Sequence, residues 1–450
     1  MPVAQFAGDA LHAICDYNVS DFVTGSTAVE FSRGLLVLDV NTVTCRGGLK
    51  YGMKSSILTT ICLCWRRPGS VRWYLALLLS GFWLPATAGD INASAKEFDR
   101  YFHQLMEKQG IPGAAYVIVS GDEVVAMDTH GVRLKGKRAK VDRHTIFRLA
   151  SVSKTFAASM AAVLEHEQKF DWGDKVVRYV PELRFKTPSL SKQLQVQHLL
   201  SHSSGLTPNA YDNYLEDNQP LSKILPKFAN IDPRCSPGKC YGYQNVLFSL
   251  IEDVIQKATG VSYERQLDNR FFTPLNMKDA SLGWERFMAS DNRAAPHVQT
   301  GRGWRPVKVE REYYLAGPAA GVNASISDMA QWLKAQMGYY PKVLSPEVIA
   351  DITTERVETR RHMRHRIWRD YLSHAGYGLG WRLYTIGDDR IIYHGGWVAG
   401  FRAAVAYSEK LKIGIAILMN AESRVISDLT ANFVVDITGN GTLSTALAGE

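Results

Sequence analysis

The sequence predicts an α/β protein of the α+β kind. One antiparallel sheet is built from the N- and C-terminal segments and flanked by helices, and a mostly helical domain is inserted between them. Three observations lead there. Two strand-like runs flank a Ser120-Gly121-Asp122 turn in "AAYVIVSGDEVVAMD". Four more, "GWRLYTI", "RIIYH", "FRAAVAYS" and "KIGIAILMN", crowd the chain after Tyr377. Between these ends, approximately residues 185–315 read as short helices and loops. Strand-rich ends around a helical middle close into one sheet.

The chain has 450 residues, enough for a large core or two domains. Its 46% hydrophobic and 21% charged content excludes wholesale disorder. The net charge of +8 favours anionic surroundings without choosing among envelope polymers, acidic lipids and nucleic acid.

Residues 1–52 form a long mixed stretch with no evident role, expected to be a mis-assigned or disordered extension, with the true start at Met53 or a non-standard codon such as Val71. Residues 53–88 form a signal-peptide region. Arg66, Arg67 and Arg72 precede an apolar run from Trp73 to Leu84 and the small residues Ala86 and Ala88. Basic, apolar, then A-x-A is the order of a secretory signal cleaved after Ala88. The alternatives are an uncleaved anchor or a buried helix. Residues 89–450 form the remaining domain. Only Cys235 and Cys240 lie in it, in "CSPGKC", close enough to bridge in an oxidising compartment or to remain two thiols.

The elements of this domain follow in order. Ala93 to Gly110 places Phe98, Tyr101, Phe102 and Leu105 at helical spacing before a glycine stop. The hairpin around Gly121 comes next. Ser151 to about Gln168 reads as helix, Val196 to Leu206 as a short helix ended by Ser-Ser-Gly, and Tyr243 to Gly260 as another helix. The strands after Tyr377 precede a last helix from Val425 to Asp436.

Three short motifs carry the chemistry. Ser151 and Lys154 stand three apart, on one helix face, so the amine reaches the hydroxyl. A serine hydroxyl needs such a partner to become a nucleophile. Alone, the spacing favours a surface lysine beside a capping serine. Tyr243 and Asn245 open the next helix after a Pro-Gly loop. An ammonium nearby favours phenolate, which makes Tyr243 a candidate base, and Asn245 can orient the lysine. His394, Gly395 and Gly396 sit at a strand end, where paired glycines let a substrate backbone come close.

Together these motifs resemble the penicillin-recognising serine hydrolases. The similarity is greatest to class C β-lactamases and the related D-alanyl-D-alanine carboxypeptidases and esterases. "HLLSHSSGL", "TPLNM", "AGPAAGVNASISDMAQWL" and "YGLGW" also look like family sequence, and the resemblance covers about residues 94–437. It implies a β-lactamase/transpeptidase-like fold. It implies Ser151 as the acylated nucleophile, Lys154 assisting its deprotonation, and Tyr243 as base for acylation and acid for the leaving group. Asn245 would hold the lysine and the substrate, and the backbone N–H groups of Ser151 and Trp397 would form an oxyanion hole. It implies no cofactor and no metal.

One departure stands out. The family usually carries Lys-Thr-Gly where this chain has His394-Gly395-Gly396. A part-charged histidine and a missing hydroxyl weaken the case for efficient β-lactam turnover. The expected function is acyl transfer from an amide or ester (β-lactam, D-amino-acid peptide or ester) through Ser151 to water. The alternative is a penicillin-binding or sensor module that acylates and does not turn over. The expected partner is a small-molecule or peptide substrate, cell-wall peptide among the candidates. The arginine-dense stretch from Glu355 to Asp370 reads as a solvated loop or helix face, so no nucleic acid is expected. The membrane is involved only through residues 66–88. The expected location is periplasmic or secreted, or membrane-anchored if the segment is uncleaved.

Overall fold

The computed structural model describes residues 91–439 and, as backbone, four short strands between residues 27 and 52. The chain divides into two units, residues 1–83 and 84–450. In the first, strands Thr27–Phe31, Gly34–Leu38, Thr42–Cys45 and Leu49–Gly52 pair antiparallel in chain order, within the stretch expected to be an extension. The signal-type segment, residues 66–88, lies outside the described residues. No helix among them is long and apolar enough to cross a membrane.

The second unit is organised by an eight-stranded sheet. Its strands are β1 (Gly113–Ser120), β2 (Glu123–Gly131), β3 (Val357–Glu358), β4 (Leu372–Tyr377), β5 (Arg382–Ile386), β6 (Asp389–Val398), β7 (Phe401–Ser408) and β8 (Ile413–Met419). Their order is β3-β4-β5-β6-β7-β8-β1-β2, antiparallel throughout. The N-terminal hairpin β1–β2 turns at Gly121, with φ +63°, and joins the C-terminal strands by pairing β1 with β8, from Ser120 opposite Ile413 to Ala114 opposite Met419. The sheet is therefore built from both ends of the domain, as the sequence predicts. Every residue of β8, "IGIAILM", is buried, as a central strand with both faces covered requires.

Period-two alternation sorts β1 between two cores. Tyr116 and Ile118 face helices α1 (Ile91–Lys108) and α4 (Val425–Ile437), where Phe98 packs edge-on against Tyr116 at 5.0 Å and Phe433 at 5.4 Å. Ala115, Val117 and Val119 face the other core, which holds α2 (Ser153–His166) and α3 (Ile326–Gln336). Eleven of the fourteen α2 residues are buried. Such a helix is apolar all round and rich in alanine, so neighbours approach closely on every side. Phe156 stacks on Trp332 of α3 with ring centroids 3.8 Å apart, and the Trp332 indole N–H donates to Thr155 Oγ1.

Several boundaries differ from expectation. The α2 helix starts at Ser153, not Ser151, because a separate 3-10 turn, Ala150–Val152, precedes it. The helix expected from Tyr243 to Gly260 breaks at Leu250 into Asn245–Ser249 and Ile251–Thr259, and Gly260 ends it with φ +73°. The short helix expected to be ended by Ser203-Ser204-Gly205 stops at Leu200. The inserted region also carries a hairpin, His297–Thr300 with Gly303–Pro306. Strands β3 and β4 are additions; β4, "LSHAGY", lacks a strong apolar alternation.

Replacing Trp332 with alanine should remove about 3–5 kcal/mol of stability, the usual cost of emptying a large aromatic site. Urea denaturation reads this directly; a loss below about 1 kcal/mol would contradict the stacking described.

Candidate active site

The chain enters the site through Leu149, whose N–H donates to Val322 O, and then turns sharply at Ala150, with φ +48°. Left-handed backbone at a residue other than glycine is strained and concentrates at functional sites. The turn leaves Ser151 partly exposed while both neighbours are buried. Just beyond it, Ser153 Oγ accepts from Val322 N–H and ties the start of α2 in place.

Lys154 is fully buried. Its Nζ lies 3.2 Å from Ser151 Oγ, 2.7 Å from Asn245 Oδ1 and 3.0 Å from Ala319 O. Burial drives its pKa well below the ordinary lysine value; the Asp212 charge opposes this and the Arg382 charge adds to it. Nζ donates to all three oxygens, and the depressed pKa eases the loss of one of its protons, which frees the lone pair to take up the serine's.

Tyr243 donates its hydroxyl to Ser151 Oγ at 2.9 Å. Its segment is clamped by His202, whose backbone oxygen accepts from Gly242 N–H and whose Nδ1 accepts from Gln244 N–H, on either side of Tyr243. The His202 ring lies against the Tyr243 ring at 4.2 Å. Upstream, Cys235 and Cys240 are joined in a disulfide, the first of the two states open to them. Burial raises the Tyr243 phenol, with the Arg382 charge as the largest opposing influence and the Ser151 hydrogen bond next. The resting side chain is therefore a neutral phenol, and no resting phenolate forms beside the amine.

Asn245 opens its helix. Its Nδ2 donates to Asp212 Oδ2 at 2.7 Å, which turns its Oδ1 toward Lys154. Asp212 starts the short helix Asp212–Glu216, after Tyr211 with φ +66°. Burial pushes its carboxyl up to about 6, while the Asn245 hydrogen bond and the Lys154 charge pull it back.

His394, Gly395, Gly396 and Trp397 lie within β6 and not at a strand end, a correction to the sequence reading. The opening arises differently: β5 begins at Arg382, opposite Tyr393, so no strand among the described residues covers that side of β6 from His394 onward. Gly396 sits against the Leu149–Ser151 turn so closely that an added Cβ would stand 2.2 Å from Leu149 O. His394 is fully buried, with Nδ1 3.0 Å from Gly395 O. A carbonyl only accepts, so Nδ1 carries the proton and Nε2 accepts from Tyr377 O–H at 3.0 Å. Burial, then the Arg382 and Lys154 charges, hold His394 neutral, in place of the part-charged ring expected. The Trp397 indole is 59% exposed, and the Arg402 guanidinium covers its face at 4.6 Å.

Two neighbours of the site escape the sequence reading. Asp212 is one. Arg382 is the other; its guanidinium carbon lies 5.7 Å from the Tyr243 ring centroid and its Nη1 donates to His362 Nε2 at 2.7 Å. A preceding Pro-Gly loop or paired glycines mark Tyr243 and Gly396, but nothing marks an arginine at the head of a strand. The arginine-dense stretch thus supplies a ring to the site through His362, which is pushed down to about 2 by burial and by Arg382. Among the described residues, His103 with Asp99 and Asp128, and His166 with Glu165 and Asp351, group as metal ligands do; neither set includes a residue of this site.

A family profile described as Beta-lactamase matches residues 98–437. Protein flp of Staphylococcus aureus is 22% identical over 357 residues, spanning 79% of this chain and 68% of that protein. The Unguisins hydrolase ungD' of Aspergillus campestris is 22% identical over 360 residues, spanning 76% of this chain and 64% of that one. The octameric penicillin-binding protein homologue from Pyrococcus abyssi superposes with a TM-score of 0.68 at 21% identity, over 77% of this chain and 78% of that chain.

Gly396→Ala is expected to force β6 off the serine turn and to lower stability by about 1–3 kcal/mol, read as a fall in the urea midpoint. Gly395→Ala meets the Tyr393 hydroxyl in place of backbone and should cost less. Equal losses would contradict the close approach at Gly396.

Proposed function

This chain belongs to the beta-lactamase family, and from that premise we propose that it is an exported serine hydrolase forming an acyl-enzyme at Ser151. The observation that carries the reading is the convergence on Ser151 Oγ: an amine at 3.2 Å from three residues along and a phenol at 2.9 Å from 92 residues along.

The resting electrostatics favour this division of labour. The Lys154 amine takes the Ser151 proton as Oγ attacks the substrate carbonyl carbon. The bond from that carbon to nitrogen or oxygen then breaks, and the Tyr243 phenol protonates the leaving group. Tyr243 phenolate next takes a proton from water, hydroxide attacks the ester, and Ser151 leaves with the proton held on Lys154. Both groups return to their starting states. Tyr243 keeps the acid half of the role the family resemblance implies, and acts as base in deacylation.

The backbone N–H groups of Ser151 and Trp397 are the candidate oxyanion donors, and the open side of β6 along Gly395–Trp397 is the candidate substrate edge. A neutral His394 and the absent threonine hydroxyl favour a D-amino-acid peptide or an ester over a β-lactam. The name of the Aspergillus campestris relative, a hydrolase, supports turnover over a permanent adduct. The disulfide and the basic, apolar, small-residue order of residues 66–88 support an oxidising location outside the cytoplasm, periplasmic or secreted. The partner in this reading is a small-molecule or peptide substrate, and nucleic acid has no part in it.

A fluorophosphonate probe should label Ser151, and a panel of nitrocefin, D-Ala-D-Ala peptide and p-nitrophenyl esters should show steady turnover on at least one member. Ser151→Ala should lose labelling and about four or more orders of magnitude in rate while melting as the native protein does. Full activity in that variant would overturn the assignment, and product release that stops after one equivalent per Ser151 across the substrate panel would indicate the acylating, non-hydrolysing alternative.

A further inference from the structure

Two charges of opposite sign stand behind the reacting groups without contacting Ser151. Asp212 is nearly buried, and its Oδ1 has no hydrogen-bond partner. A buried carboxylate oxygen without a donor is costly unless a positive charge lies close. The amine that acts on it when protonated is Lys154, with Asn245 between them in an unbroken chain: Asn245 Nδ2 to Asp212 Oδ2 at 2.7 Å, and Lys154 Nζ to Asn245 Oδ1 at 2.7 Å. Arg382 stands on the Tyr243 side. It donates to the neutral His362 ring, the Tyr241 and Tyr384 phenols lie within its electrostatic reach, and no carboxylate counters its charge among the described residues.

We propose that Asp212 and Arg382 are positioning residues of opposite charge that together set the protonation state of Lys154. Asp212, acting through Asn245, holds a proton on the amine, and Arg382 drives it off. This rests on the reading of Ser151 as the acylated nucleophile. The groups facing Lys154 from every packed element are Ser151 and Tyr243, Asn245, Asp212, His202, His394 and Arg382. Both histidines are buried and held neutral, so the two formal charges among these neighbours are Asp212 and Arg382. Their effects run in opposite directions: Asp212 raises the lysine and Arg382 lowers it, both within the larger depression caused by burial.

The sign of each test follows. Acylation needs the free amine, so its rate falls on the acid side as Lys154 gains a proton. Asp212→Asn keeps a carbonyl for Asn245 to donate to but removes the charge. Its acid limb should move down by about one pH unit, with the plateau rate within about tenfold of native. Asp212→Ala also frees the Asn245 amide to flip and should lose the plateau as well. Arg382→Gln should move the limb up by about one unit.

The measurement is the rate of fluorophosphonate labelling of the full chain from pH 5 to 10, with Ser151 confirmed as the site by mass spectrometry. Opposite shifts in Asp212→Asn and Arg382→Gln support the proposal. An unmoved limb, or a shift of the wrong sign, in either variant overturns it, because a merely structural role lowers the plateau without moving the limb. If one variant fails to fold by circular dichroism, the other decides alone. Native protein unlabelled at every pH overturns the serine reading and this inference with it; native protein labelled, with limbs unmoved, overturns this inference alone.

Discussion

A lysine without access to water, set near the start of a helix packed on all sides, is the constraint on which the rest of the structure depends. Such a nitrogen must find acceptors or be expelled from the core. Lys154 finds them in Asn245 and in the carbonyl of Ala319, 91 and 165 residues further along. Two distant segments are therefore obliged to meet over α2. The inserted helical region delivers Asn245, and the short helix Gly317–Ala320 delivers the carbonyl. The apolar faces of α2 and α3 provide most of the cohesion, and the amine provides the register in which they meet.

The sheet serves the same end from the other side. Pairing β1 with β8 closes the domain, and β6 comes to lie in its middle. The glycine at 396 then lets β6 press against the turn carrying Ser151, where any side chain would collide with Leu149 O. The turn itself is held on both sides by Val322, whose carbonyl accepts from Leu149 N–H and whose N–H donates to Ser153 Oγ, so the left-handed Ala150 is fixed by its surroundings and not by its own preference.

Much of this was legible in the sequence because it depends on local pattern. Strand alternation at both ends gave the sheet, and the serine-to-lysine spacing, the tyrosine-to-asparagine pair and the paired glycines named the residues that meet. What stayed hidden depends on who the neighbours are. Asp212 and Arg382 are ordinary polar residues by sequence, and only the fold shows that one has an oxygen without a donor and that no carboxylate among the described residues counters the other. The break at Leu250 leaves no mark either, because the apolar spacing continues across it. His394 looked titratable, and becomes neutral only because the strands around it exclude water.

The margin of β6 from His394 onward leaves main-chain groups on one side that no strand among the described residues claims. Sheet margins commonly recruit a second polypeptide, which is how soluble proteins come to stick together. Here the vacant stretch is five residues, closed at one end by the Val398–Phe401 hairpin and shadowed by the serine turn. It is too short and too recessed for another sheet to dock. A single slender, outstretched molecule can still borrow those main-chain groups, so the recess admits guests by shape before any side chain inspects them.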